Sequence, residues 1–121
     1  MPERKTKVLL VEDNAALLET LADILRSTGM EVDKALDAPA AFGLLKEGQY
    51  DIAVVDMVLP GPSGVEVILK LKASSPKTRV IVCTAYYESA LLAEAQAIGI
   101  DRVVHKPADP AALIALIRDL G

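Results

Sequence analysis

Apolar runs and amphipathic stretches alternate along the whole chain. The predicted strands are short runs with apolar centres, and they span residues 7–12, 31–36, 50–56, 79–84 and 101–106. After each of them, apolar residues recur at the three- and four-residue spacing of a helix that buries one face. The predicted helices span residues 14–29, 38–49, 63–74, 88–99 and 109–120.

The order of these elements predicts the fold class. A strand followed by a helix, repeated five times with short connections, predicts an α/β protein with a parallel sheet and helices on both faces. The first, third and fourth strands are almost continuously apolar, as expected for strands covered on both faces. We expect one doubly wound (βα)5 domain over residues 1–121, with its core at 6–120.

Charge and composition exclude several classes of function. The chain carries 13 Lys and Arg residues against 17 Asp and Glu residues, a net charge of −4, which argues against direct binding of nucleic acid. It has no apolar run long enough for a membrane span, and no signal-type segment follows the basic first residues. A single cysteine, Cys83, predicts a cytoplasmic setting and reads as a small buried hydrophobe.

Charged and polar residues stand where the predicted strands end. In open α/β sheets, sites form beyond the carboxyl ends of the strands. Two carboxylates about 4 Å apart repel by roughly 4 kcal/mol at an effective dielectric near 20, so a counter-charge is needed. Mg²⁺ prefers such oxygen ligands. The residues at these ends are Glu12, Asp13, Asp56, Thr84 and Lys106, the last followed by Pro107.

This set suggests phosphoryl chemistry. We expect Asp13 and Asp56 to bind the metal directly, with the Met57 carbonyl alongside and Glu12 acting through water. A metal with few protein ligands keeps positions for phosphoryl oxygens. A carboxylate can itself be the nucleophile that forms an acyl phosphate, and the Thr84 hydroxyl and Lys106 ammonium would then spread the charge of the phosphoryl group.

Four segments, in chain order, resemble the receiver domains of two-component response regulators over residues 6–120. They are "VLLVEDN" (8–14), "DIAVVDMVLPGPSG" (51–64), "VIVCTA" (80–85) and "HKP" (105–107). The resemblance implies a flavodoxin-like fold with strand order 2-1-3-4-5. It also implies that a histidine kinase or a histidine phosphotransfer protein donates phosphate, that Mg²⁺ is required, with Mn²⁺ as an alternative, and that a downstream effector, not identified by the sequence, reads the change.

The resemblance also assigns roles to individual residues. It implies that Asp56 is the phosphoacceptor and that it binds Mg²⁺ together with the acidic pair before the first helix. The residues beyond the fourth and fifth strands would form the switch and bind the phosphate. By this resemblance the metal ligands are Glu12, Asp13, Asp56 and the Met57 carbonyl, and the switch residues are Thr84, Ala85, Lys106 and a cis-type Pro107.

Several positions depart from the family pattern. The family commonly has an aromatic residue three positions before the lysine, and here that residue is Val103. Tyr86 and Tyr87 follow the switch threonine and are candidates for the moving aromatic, with capping of the loop as the alternative.

The positions that flank the site bear on how long the phosphate lasts. Val58 and Tyr86, two residues after Asp56 and Thr84, offer no carboxylate or amide to orient water. Slow to moderate autodephosphorylation is therefore predicted.

Other residues have a structural interpretation. The single histidine, His105, is expected to be structural or to lie on the surface. Gly61 and Gly64 are interpreted as turn residues of the loop after the third strand. Asn14 and Asp109 are the predicted N-caps of the first and last helices.

Three alternative functions remain open from the residues themselves. A haloacid-dehalogenase-like phosphotransferase would have a second aspartate at the position of Val58. A flavin-binding module would have a Ser, Thr or Gly-rich loop where "EDNAA" (12–16) stands. A docking module that no longer takes phosphate is favoured only by Val103. The helices carry more apolar residues than their buried faces need. These residues could form a kinase-docking face on the first helix or a homodimer through helix four, strand five and helix five. Ordinary scatter of apolar residues over the surface explains them equally well.

Overall fold

Five parallel strands form one sheet in the computed structural model, which describes residues 5–85 and 89–120. Each strand ends within two residues of the bounds that the apolar runs predict. The strands are β1 (Lys7–Val11), β2 (Glu31–Ala35), β3 (Ile52–Asp56), β4 (Arg79–Thr84) and β5 (Arg102–His105).

A helix follows every strand, as the sequence predicts. The helices are α1 (Ala15–Ser27), α2 (Ala38–Glu47), α3 (Gly64–Ser74), α4 (Ala90–Ile98) and α5 (Pro110–Leu120). Within residues 5–85 and 89–120, none of these helices has the length and hydropathy needed to cross a membrane.

The strand order across the sheet is β2-β1-β3-β4-β5, and every neighbouring pair is parallel. This confirms the predicted fold class and order. Because all strands run the same way, their carboxyl ends share one edge of the sheet. In the register of that edge, Val11 lies opposite Val55, Asp56 lies opposite Cys83, and Thr84 lies opposite His105.

Side chains of successive strand residues point to opposite faces, and each face forms a separate core. One core packs against α2, α3 and α4, and its buried strand residues are Leu9, Val11, Ala35, Ala53, Val55, Val80 and Val82. The other packs against α1 and α5, and its buried strand residues are Val8, Leu10, Val32, Ile52, Val54, Ile81 and Cys83. Every residue of β3 is buried, and Cys83 is a buried thiol, as predicted.

The first and last helices begin at the predicted caps. The Asn14 side-chain oxygen accepts a hydrogen bond from the Leu17 amide at 3.1 Å. The Asp109 carboxylate accepts one from the Ala111 amide at 3.1 Å. Each cap satisfies a backbone donor that has no partner within its helix, so both helices start where their polar residues dictate.

The loop from β3 to α3 differs from the sequence interpretation at one glycine. Gly61 has a φ of +74°, the left-handed region that glycine adopts without steric cost. Ser63 is the N-cap of α3 and accepts from the Val65 amide at 3.2 Å. Gly64 is the first residue of α3, so it lies inside the helix predicted over residues 63–74 and not in the loop to which its glycine interpretation assigned it.

Candidate functional site

The carboxyl ends of β1, β3 and β5 bring two acids and a lysine into contact. Glu12 follows β1, Asp56 ends β3, and Lys106 follows β5. The Lys106 Nζ donates to Glu12 Oε1 at 2.6 Å and to Asp56 Oδ2 at 2.8 Å. Residues that stand far apart in the sequence therefore share one charged cluster at the edge of the sheet.

Burial strengthens the interactions in this cluster. The exposed fractions of Glu12 and Asp56 are 6% and 5%. Burial raises the pKa of Glu12 because water no longer solvates its charged form, and the hydrogen bond from Lys106 acts in the opposite direction. Burial alone would lower the pKa of Lys106, but its bonds to Asp56 and Glu12 more than offset that, and its pKa is raised. The ammonium form of Lys106 is thus favoured.

The acids of the cluster fit a divalent metal ion. Carboxylate oxygens of Glu12, Asp13 and Asp56 all lie within 4.8 Å of one another, and Asp13 is exposed to solvent. Hard divalent cations take carboxylate and carbonyl oxygens as ligands. The Met57 carbonyl accepts the Gly64 amide at 3.0 Å, which leaves its second lone pair available.

Backbone contacts hold the Asp56 carboxylate in one orientation. Its Oδ1 accepts from the Val58 amide at 3.2 Å, while Oδ2 accepts from Lys106. The Met57 amide donates to the Cys83 carbonyl at 3.3 Å and so extends the pairing of β3 with β4 past Asp56. The Val58 side chain is 53% exposed at the rim of the site. Asp56 is therefore held by hydrogen bonds at the end of a strand, close to solvent.

Thr84 and Lys106 connect the ends of β4 and β5. Thr84 is the last residue of β4 and is only 2% exposed. Its carbonyl accepts from the Lys106 amide at 2.9 Å, which fixes the backbone of the lysine relative to β4. Ala85 is exposed, and the bond between Lys106 and Pro107 is cis, as predicted.

Comparison with known proteins shows the family of this chain. Residues 8–118 match the family model described as the response regulator receiver domain. The chain belongs to this family of receiver domains. It is 38% identical over 113 residues to the sensory transduction protein RegX3 of Mycobacterium bovis. The matched region covers 93% of this chain and 49% of that protein. It is 36% identical over 100 residues to a cyclic di-GMP phosphodiesterase of Thermotoga maritima, covering 83% of this chain and 27% of that protein.

Solved receiver structures share the architecture. A CheY-like receiver domain protein from Methanospirillum hungatei superposes with a TM-score of 0.91 at 26% identity, covering 96% of this chain and 93% of that one. A response regulator from Burkholderia pseudomallei, solved with a phosphorylated aspartic acid, a calcium ion and citrate, has a TM-score of 0.85 at 28% identity, covering 93% and 66%. This receiver thus spans about half or less of the two curated relatives above.

Membership of the family narrows the classes of function considered from the sequence. A receiver domain is a signalling switch, and the phosphodiesterase name belongs to a relative of which this chain covers only 27%. Within residues 5–85 and 89–120, a cluster of three potential metal-binding acids occurs at this one edge of the receiver.

The structure describes only some of the residues near the predicted switch. Val103, in the position where the family commonly has an aromatic residue, is partly buried against the core beneath α2, α3 and α4. His105 is exposed at the end of the receiver's β5, in agreement with the surface interpretation. Tyr86 and Tyr87 lie outside the described residues, so their part in the switch stays a prediction.

Three contacts in the receiver site do not follow from its sequence. Both Glu12 carboxylate oxygens have donors, Lys106 and the Asn14 amide at 3.0 Å, whereas the sequence predicts that Glu12 acts on a metal through water. The Gly64 amide bonds to the Met57 carbonyl beside Asp56. The sequence carries one signal for the Gly64 contact. A glycine that directly follows the N-cap serine lies in the helix, so it is not needed there to form a turn.

Proposed function

We propose that this receiver takes a phosphoryl group onto Asp56 from the phosphohistidine of a histidine kinase or histidine phosphotransfer protein. The reaction requires Mg²⁺, and the phosphorylated domain presents a changed surface to its effector. The observation that carries this proposal is the 2.8 Å contact between Lys106 Nζ and Asp56 Oδ2, within a cluster of three carboxylates. A lysine and a metal site beside one rigid aspartate are what a transferred phosphoryl group needs.

The metal site is proposed from the donors present. Asp13, Asp56 and the Met57 carbonyl would hold Mg²⁺ directly and Glu12 would contribute through water, and Mn²⁺ can substitute for Mg²⁺. The carboxylates lie within 4.8 Å of one another, and all these donors are hard oxygens. When bound, the metal supplies positive charge to the phosphoryl oxygens and to the crowded carboxylates. The calcium ion in the Burkholderia pseudomallei regulator supports a divalent site in the family.

The group transfer uses the Asp56 carboxylate as the nucleophile. One of its oxygens forms a bond to phosphorus while the bond from phosphorus to the histidine nitrogen of the donor breaks, and the imidazole leaves with that electron pair. The Val58 amide and Lys106 hold the two carboxylate oxygens before transfer. Lys106 then pairs with a phosphoryl oxygen, so a cation already in place offsets the added negative charge.

The proposed switch lies at the end of β4. The Thr84 hydroxyl and the Ala85 amide are the proposed donors that turn towards the phosphoryl oxygens, and Pro107 closes the loop beside Lys106. The bond from the Lys106 amide to the Thr84 carbonyl supports this role, because it joins the phosphate-binding lysine to the switch threonine. Phosphorylation shifts the populations of two arrangements by the contacts that only one of them makes.

The proposed partners follow from the same mechanism. The donor is a phosphohistidine protein in the cytoplasm, and an effector that the sequence does not identify reads the change at the face of α4. A homodimer through α4, β5 and α5 is the alternative use of this region. Val103 and Val104 on β5 are only partly buried, which leaves apolar area there for a partner to cover. The proposed unit is one receiver domain over residues 1–121, with its core at 6–120.

Intact-protein mass spectrometry tests the proposal. The wild type and Asp56→Asn are incubated with acetyl phosphate, with and without Mg²⁺. We expect one added phosphoryl group that needs both Mg²⁺ and Asp56, and that hydroxylamine removes, because hydroxylamine cleaves acyl phosphates. Normal labelling of Asp56→Asn would refute the phosphoacceptor role. A folded wild type that gains no mass would favour a docking module instead.

A further inference from the structure

Gly64 lies against the backbone of the proposed phosphoacceptor. A Cβ atom at position 64 would be 2.3 Å from the Asp56 carbonyl oxygen, 2.7 Å from Met57 Cε and 2.9 Å from Met57 Cα. The Met57 methyl could move, since it ends a flexible side chain. The Asp56 carbonyl and Met57 Cα belong to the backbone at the end of β3 and cannot move without shifting the site.

The conformation of Gly64 does not by itself require glycine. Positive φ angles among the described residues occur at Gly29, Gly61 and Gly99, and Gly64 is not among them. Gly64 begins α3 in a conformation that alanine adopts readily. Close approach to the backbone of β3 is therefore the reason for a glycine at this position.

The same close approach creates a contact to a proposed metal ligand. The Gly64 amide donates to the Met57 carbonyl at 3.0 Å. As the first residue of α3, Gly64 has an amide without a partner inside the helix, so this donor is available. Its bond sets the direction of the Met57 carbonyl, whose second lone pair is proposed to face the metal. Groups that orient metal ligands in this way tune metal affinity.

We infer that Gly64 is a positioning residue for the phosphorylation reaction: it holds the Met57 carbonyl and the Asp56 backbone in the geometry that binds the divalent metal. This inference rests on the proposed function. It adds a residue that does not touch the phosphoryl group and that acts only through its amide and its lack of a side chain.

The test uses Gly64→Ala with two matched controls. Gly43→Ala also adds a methyl group at a helical glycine, but at a position with no atom within 4 Å of the new Cβ. Ser63→Ala removes the N-cap of α3 without adding any atom near β3. The measurements are the Mg²⁺ concentration that gives half the maximal phosphorylation rate with acetyl phosphate, and the rise in Tm that Mg²⁺ causes.

For Gly64→Ala we expect the half-saturating Mg²⁺ concentration to rise about 10- to 100-fold, the usual loss when support of a metal ligand is removed. The Mg²⁺-induced rise in Tm should shrink in parallel. Both controls should keep the wild-type Mg²⁺ response, even though Ser63→Ala lowers Tm. A merely structural role would lower the Tm of Gly64→Ala equally with and without Mg²⁺.

Two results overturn the inference: a wild-type Mg²⁺ response in Gly64→Ala, or an equal loss of response in Ser63→Ala. If Gly64→Ala does not fold, the wild-type amide resonances decide. The Gly64 resonance must then shift during a Mg²⁺ titration while that of Gly43 stays fixed, and a static Gly64 resonance refutes the inference. A wild type that is neither phosphorylated nor stabilised by Mg²⁺ refutes the proposed function as well, which separates the two failures.

Discussion

An aspartate stands at each end of β3, and the two have different surroundings. Asp51, just before the strand, accepts the Lys7 amide at 2.8 Å on its side chain and the Arg79 amide at 2.9 Å on its carbonyl. Asp56, at the other end, meets two more carboxylates and Lys106. The first aspartate pairs with backbone donors of neighbouring strands, whereas the second lies close to two further carboxylates and one lysine.

Other contacts near the amino ends of the strands follow the pattern of Asp51. The Thr78 hydroxyl bonds to the Tyr50 carbonyl at 2.6 Å and to the Ser75 hydroxyl at 2.7 Å. The Tyr50 hydroxyl donates to Asp33 at 2.6 Å. Buried polar groups that are paired in this way stabilise a fold and need no additional partner.

At the carboxyl ends of the strands, by contrast, negative charges outnumber positive ones. Three carboxylates face one lysine in the described cluster, and two of those acids are buried. Such an arrangement costs stability unless a further cation arrives. The contrast between the two edges indicates that one is built for stability and the other for binding and phosphoryl transfer.

Removal of the lysine should have the largest effect. Lys106→Met should slow phosphorylation by acetyl phosphate about 100-fold, as expected when one charge-stabilising donor is lost. Mg²⁺ should raise the Tm of this variant more than that of the wild type, because the metal then supplies the missing positive charge. Stopped-flow phosphorylation kinetics and thermal unfolding with and without Mg²⁺ measure both effects.

The control for this variant is a lysine at the opposite edge. The Lys7 Nζ lies 5.0 Å from the centre of the Tyr50 ring, away from the carboxylate cluster. Lys7→Met should leave the phosphorylation rate and the Mg²⁺ response unchanged. An equal loss of rate in both lysine variants would mean that overall charge, rather than the contact to Asp56, controls the reaction.

Disruption of the contacts near the amino ends of the strands should change stability alone. Thr78→Val removes the hydroxyl that bonds to Tyr50 and Ser75, and should lower the free energy of unfolding by about 2 kcal/mol because buried partners lose their bonds. Urea denaturation measures this loss. The phosphorylation rate at saturating Mg²⁺ should not change, and a fall comparable to that of Lys106→Met would contradict the division between the two edges.

The lifetime of the phosphoryl group should show the smallest effect. Val58 is exposed beside Asp56 and carries no group that could orient water, so phosphate should be lost slowly or at a moderate rate from the wild type. Val58→Asn should shorten the lifetime several-fold, because an amide can position the attacking water. Decay of the phosphorylated mass after removal of acetyl phosphate gives the rate.

A second exposed apolar residue provides the control for Val58. Leu69 lies on α3 and is 45% exposed, and Leu69→Asn should leave the lifetime unchanged. Loss of the label from the wild type within a few seconds would contradict the prediction of slow decay.

The sequence predicts the elements of this receiver well and their contacts only in part. Periodicity is local, so helix and strand bounds, and the placement of Asp56 and Lys106 at strand ends, follow from short windows. The ion pair between Lys106 and Glu12 spans 94 positions, and no local pattern contains its geometry. The close approach of Gly64 to the end of β3 is missing from the sequence interpretation for the same reason, since it depends on the distance between a helix start and a strand end.

The matched pair of aspartates on β3 tests the central claim most directly. Asp51→Asn and Asp56→Asn are incubated with acetyl phosphate and Mg²⁺, and their intact masses are compared with that of the wild type. We predict that Asp51→Asn, whose amide oxygen can still accept the Lys7 amide, gains one phosphoryl group as the wild type does, and that Asp56→Asn gains none. Labelling of Asp56→Asn, or its loss in a folded Asp51→Asn, would contradict the account.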